Sequence, residues 1–124
     1  MESLAELREK LAALTADNRV GDFSFEVGWV PLLLDLAKKI EKLGPACRQG
    51  FAIWQVKEKY GRLSIQAVAG PEIEALIETA EQASTVTCAI CGKPGKLFVS
   101  GWYRVLCSDH ERRTRQQSTS GCDL

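Results

Sequence analysis

Four residues near the C-terminal end, Cys88-x2-Cys91-x15-Cys107-x2-His110, restrict this 124-residue chain more than any other feature. Two close pairs separated by a hairpin's length are the spacing of a tetrahedral zinc site. A two-residue gap lets one tight turn present two ligands from one side. The second pair must then come from elsewhere in the chain to close the shell. The residues between the pairs fit that demand. Cys91-Gly92-Lys93-Pro94-Gly95 is a glycine-rich turn in which Gly92 can take positive φ, so that backbone N–H groups face sulfur. Lys96-Leu97-Phe98-Val99 and Trp102-Tyr103-Arg104-Val105-Leu106 read as two strands joined at Ser100-Gly101. Ser108-Asp109-His110-Glu111 is a capping box that opens a helix at Ser108. Knuckle, hairpin, then ligand-bearing helix is the order of a treble-clef or zinc-ribbon-like module, expected over residues 87–117 with a tail at 118–124.

Other readings of the cysteines stand beside this one. The chain has five cysteines and one histidine, and an odd count argues against a disulfide framework. A redox Cys-x2-Cys pair needs a helix starting at its first Cys, whereas here a helix ends just before Cys88. Plain buried thiols beside a surface histidine are the bland alternative. The spacing favours structural zinc on Cys88, Cys91, Cys107 and His110. A catalytic zinc keeps one position for water, and four ligands at this spacing close the shell. The zinc-deaminase pattern is missing, and Thr114 stands where a second His of His-Glu-x-x-His would fall. With the only histidine committed to metal, no catalytic set assembles, and there is no phosphate loop or nucleophile elbow. Cys47 reads as a packing residue and Cys122 as a tail thiol.

The rest of the chain reads as a small α+β body over residues 1–86, helices covering a β-hairpin or small sheet. A first helix is expected over 3–16, capped by Ser3 and Glu6, with Leu4, Leu7, Leu11 and Leu14 on one stripe. That stripe packs on the body or, alternatively, pairs copies of the chain. A second helix is expected over 31–43, with Pro31 in its first turn and Gly44-Pro45 ending it. Residues 51–68 change period and predict a hairpin turning at Tyr60-Gly61. Ala52, Trp54 and Val56 are expected on its apolar face, together with Leu63, Ile65 and Ala67. A third helix is expected over 71–84. A two-stranded hairpin cannot stand alone, so the three helices must cover its apolar face, and a third strand, from Phe23–Phe25 or from the zinc hairpin, would help.

Net charge is zero, with sixteen basic and sixteen acidic residues, which excludes condensation of nucleic acid by bulk charge. The charges are nonetheless segregated. Residues 48–70 carry Arg48, Lys57, Lys59 and Arg62 against Glu58, and residues 88–124 carry six basic against three acidic groups. Residues 71–87 carry only Glu72, Glu74, Glu78 and Glu81. Gln55, Lys57, Lys59 and Arg62 on the hairpin, with Trp102 and Arg104 on the zinc module, form the candidate binding set. The competing view is that edge-strand lysines only discourage aggregation. The longest apolar run, Val30 to Leu34, stops at Asp35, so no membrane span is expected. The charged, helical start does not read as a leader, and a cytoplasmic setting follows.

Gly28-Trp29 before a leucine-rich helix, Gln55-Val56-Lys57-Glu58-Lys59-Tyr60-Gly61-Arg62-Leu63, Cys-x2-Cys-Gly-Lys-Pro-Gly, Gly101-Trp102 and Cys-x2-His come together in this chain. Over residues 27–110 it resembles a family of small phage- and prophage-associated bacterial proteins. The resemblance implies a phage-like genomic setting, a host-cell cytoplasmic location and a zinc module, with a role in host takeover or counter-defence. The function expected is a non-enzymatic, zinc-stabilised binding module whose basic hairpin and zinc-module surface docks on nucleic acid or on an acidic host protein. The alternatives are sequestration of a small anionic nucleotide, or an enzyme with a site on the hairpin face.

Overall fold

In the computed structural model, residues 4–99 and 103–113 are described. The architecture is mixed α+β. Helix α1 (Leu4–Leu14) is followed by strand β1 (Val20–Ser24), helix α2 (Val30–Lys42), strands β2 (Ala52–Lys59) and β3 (Arg62–Val68), and helix α3 (Pro71–Ser84). A second sheet follows, made of β4 (Lys96–Val99) and β5 (Tyr103–Leu106). Residues 108–113 are helical. Ser3, Ser100, Gly101, Trp102 and the tail lie outside the described residues.

The third strand is β1, and it pairs with β2 in parallel, giving the sheet order β1-β2-β3. A parallel pair needs a crossover, which α2 supplies. β2 and β3 form the expected antiparallel hairpin. Its two-residue turn, Tyr60 at φ 54° and Gly61 at φ 78°, has both residues left-handed, the twist that joins antiparallel strands without splaying them.

The helices gather on one face of the sheet. Leu7, Leu11 and Leu14 of α1, Leu33, Leu36, Ala37 and Ile40 of α2, and Ile73, Ile77 and Ala80 of α3 share one buried cluster with Ile53, Val56 and Leu63. The leucine stripe of α1 therefore lies in the chain's own core, with Leu4 packed against it. α3 also closes an edge. The Leu63 N–H donates to Ser84 Oγ at 2.9 Å, and the Ile65 N–H donates to Glu81 Oε2 at 2.9 Å. Two donors that would otherwise offer β3 to another strand are thereby satisfied.

The apolar face of β2 differs from the simple alternation. Ile53 pairs with Ala67, but Gln55 pairs with Gln66, so Trp54 is an extra residue in the ladder. A bulge of this kind sets two consecutive side chains on one side of the sheet. Ile53 and Val56 point inward and are buried, while Trp54 is 63% exposed. The expectation that Ala52, Trp54 and Val56 share the apolar face is corrected by this one-residue insertion. Gly21 on β1 accommodates it, because a Cβ there would lie 1.6 Å from the Trp54 carbonyl oxygen.

Candidate metal centre and the basic sheet face

Residues after α3 turn back through a single bridge between Thr87 and Pro94, which brackets a tight knuckle. Within it the Cys88 N–H donates to the Lys93 carbonyl at 2.7 Å, and the Gly92 N–H donates to the Cys88 carbonyl at 2.9 Å. Gly92 takes φ 82°, as the sequence requires of the residue after the second thiol. β4 and β5 then carry the chain to Cys107, which sits directly before the helical turn of residues 108–113.

The Glu111 N–H donates to the Cys107 carbonyl at 2.9 Å, so that turn opens at Cys107, one residue before the Ser108 cap expected from sequence. The backbone N–H of His110, three residues on, faces the Cys107 sulfur and holds its thiol below the ordinary range, burial opposing it. A sulfur thus occupies the position that a cap oxygen usually fills.

The four donor atoms, Sγ of Cys88, Cys91 and Cys107 and a ring nitrogen of His110, all lie within 4.8 Å of one another. Cys91 Sγ and Cys107 Sγ are 3.7 Å apart. His110 Nδ1 is 3.7 Å from Cys88 Sγ and 3.2 Å from Cys107 Sγ. Around a tetrahedral zinc the edges would be roughly 3.8 Å for two sulfurs and roughly 3.6 Å for sulfur and nitrogen. The residues therefore fit one tetrahedral ion. Burial pushes the Cys88 thiol up, but N–H groups of Cys107, Cys91 and Ile90 outweigh it and hold the thiol below its usual range. Cys91 is pushed up by burial and by its two sulfur neighbours, with the Lys93 N–H pulling the other way. Such backbone donors favour thiolate, the form that binds metal. The four residues lie close together and can bind a metal ion. The cysteines are free thiols, and Cys88 stands four residues beyond the end of α3 rather than at a helix start.

The knuckle is held on the body by Gly28 and Trp29. The Gly28 N–H donates to the Ala89 carbonyl at 2.8 Å. A Cβ on Gly28 would lie 2.4 Å from the carbonyl oxygens of both Cys88 and Ala89. The fully buried Trp29 donates its indole N–H to the Thr87 carbonyl at 3.0 Å. Ala89 itself belongs to the body's core cluster. At the other end of the module, the Tyr60 and Tyr103 rings meet edge to face at 5.9 Å.

The hairpin candidates Gln55, Lys57 and Lys59 alternate along β2 on the face opposite Val56, and Arg62 stands across from Lys59. Ser64 and Gln66 on β3, and Asp22 and Ser24 on β1, share that face. The structure brings these four together, away from the helices. Arg104 is placed elsewhere. Its guanidinium pairs with Glu26 and is only 21% exposed, and it faces Glu58, which lies on the inner side of β2 opposite Leu63. Arg104 fastens the metal module to the body instead of extending the exposed basic surface. Trp102 lies outside the described residues.

Sequence reasoning did not find two parts of this arrangement. The Glu26–Arg104–Glu58 cluster left no sequence signal. The bulge at Trp54 shows only in the structure, where the two buried residues Ile53 and Val56 are three apart, a spacing that strict alternation does not give. Comparison of the chain with protein-family models, curated proteins and solved structures found no match. Among the described residues, no helix is long and apolar enough to cross a membrane.

Proposed function

We propose that this chain is a zinc-stapled, non-enzymatic binding module that docks the outer face of its three-stranded sheet on a polyanionic partner. The observation that carries the reading is the coincidence of a four-ligand cluster with an unpaired basic face. The donor atoms of Cys88, Cys91, Cys107 and His110 lie within 4.8 Å of one another, a set of four protein ligands that supports a structural zinc in a treble-clef-like setting. Meanwhile Lys57, Lys59 and Arg62 share one face, and none of them takes part in the ion pairs of the described residues.

The phage-like resemblance supplies the setting: a phage-encoded accessory protein that meets nucleic acid or an acidic host protein in the host cytoplasm. Sequestering a small nucleotide calls for a concave pocket, whereas Lys59, Arg62 and Gln66 are exposed on an open sheet.

The test is salt-dependent binding of the metal-loaded chain to heparin. The triple charge reversal Lys57→Glu, Lys59→Glu and Arg62→Glu is expected to weaken binding at low salt. It should also flatten the log–log salt slope by about 2 to 3, one counterion-release increment per lost contact. Binding that persists unchanged in the triple variant contradicts the reading.

A further inference from the structure

The bulge in β2 places an aromatic ring where none is needed for packing. Trp54 and Gln55 together face Gln66, and Trp54 is 63% exposed. An indole left in water on a sheet whose other face packs against the helices asks for a partner. The bulge is also built in rather than incidental, since only a glycine at position 21 leaves room for the Trp54 carbonyl.

What surrounds the ring is chemically mixed in a particular way. Gln55 and Gln66 supply amide donors and acceptors beside it, and Ser24 and Ser64 add hydroxyls further along the face. Lys57, Lys59 and Arg62 supply cations toward the Tyr60-Gly61 turn. Asp22 is the one acid on the face, and Glu81 is engaged at the β3 edge by the Ile65 N–H.

A π-face, amide groups and a row of cations on an open sheet match the demands of unstacked bases and their phosphates. Duplex recognition has different demands. The major groove admits a helix or a two-stranded ribbon, and this face is a three-stranded sheet backed by helices. An acidic peptide would use the cations and leave the indole unexplained.

We infer that the outer sheet face binds single-stranded nucleic acid, with one base stacked on Trp54 and the following phosphates held by Lys57, Lys59 and Arg62. This rests on the proposed polyanion-docking reading and names its ligand.

The experiment uses the full metal-loaded chain and three labelled probes in low salt: a 12-nucleotide single strand (as oligo-dT and as oligo-rU), a duplex of the same length, and a poly-glutamate peptide. The expected result is preference for the single strands. Trp54→Ala should lower that affinity about 5- to 150-fold, the range for one stacked base, while Trp54→Phe should keep most of it. Circular dichroism should show both variants folded, because the ring is outside the core. If the duplex or poly-glutamate binds as tightly as the single strands, or if Trp54→Ala changes nothing while Lys57→Glu still weakens binding, this inference falls and polyanion docking stands. If none of the three probes shows salt-dependent binding, both fall.

Discussion

The body and the metal module reach order by different means. Among the described residues, eighteen buried ones form the body's core, most of them from the three helices and the central sheet, with Trp29, Phe51 and the knuckle's Ala89 joining them. The module's own cluster has three, Cys88, Leu106 and Cys107, of which two belong to the candidate metal cluster. A hairpin of two four-residue strands falls well short of independent stability. The body can fold by burying apolar surface, whereas the module, on the proposed reading, relies on an ion and on being pinned to the body. Gly28, Trp29 and Arg104 do the pinning, so the two regions are coupled through a few identifiable contacts.

Removing the metal should separate the regions most sharply. Chelation at neutral pH is expected to abolish amide-exchange protection in β4, β5 and residues 88–91 while β2 and β3 keep theirs. The effect is large because structural zinc contributes on the order of 10–16 kcal/mol in small zinc-finger peptides. Equal loss in both regions would show that the body has no stability of its own.

Next in size is Gly28→Val. The added side chain would meet two backbone carbonyls that cannot move freely. Destabilisation of more than about 2 kcal/mol is expected, together with weaker metal retention against a competing chelator. A variant that melts lower yet holds its metal normally would show that docking and ligation are independent.

Ser84→Ala probes the body alone. It removes the hydroxyl that accepts the Leu63 N–H at a fully buried position, and a loss of about 1–3 kcal/mol is expected. Metal affinity should not change.

The smallest effect concerns the junction. Burial pushes the Glu58 carboxyl above the usual carboxylate range, Arg104 opposing and Glu26 reinforcing the rise, and its Oε2 is buried without a hydrogen-bond partner. Because the folded chain holds that proton more tightly than the unfolded chain, the resulting stabilisation is fully present below the ordinary glutamate range. It is lost as pH rises through the elevated value. Glu58→Gln should therefore stabilise the protein near neutral pH, by less than about 1 kcal/mol after solvent screening, and should flatten the fall in melting temperature between mildly acidic and neutral pH. An unchanged or steeper fall would contradict this.

Much of the architecture was legible because it rests on local chemistry. Leu7, Leu11 and Leu14 recur at helical spacing, Pro31 and Pro71 mark helix starts, and Tyr60-Gly61 marks a tight turn. The metal cluster was legible for the same reason, since ligand chemistry demands fixed residue types at fixed spacing. The parallel pairing of β1 was not legible beyond Phe23–Phe25 as one of two possible sources of a helpful third strand, because it depends on where α2 returns the chain. The bulge at Trp54 was missed because one inserted residue reverses the facing of everything before it, and no residue type announces it. Arg104 read as a free cation because its partners, Glu26 and Glu58, are distant in sequence and meet only when the module docks.

The central claim is that one ion organises Cys88, Cys91, Cys107 and His110. Reconstituting the purified, metal-free chain with cobalt(II) and recording its absorption spectrum tests this most directly. The account predicts saturation at one ion per chain, tetrahedral d–d bands, thiolate-to-metal charge transfer, and loss of that spectrum on titration with zinc. No stoichiometric uptake, with residues 88–99 and 103–113 still protected from exchange, would contradict it.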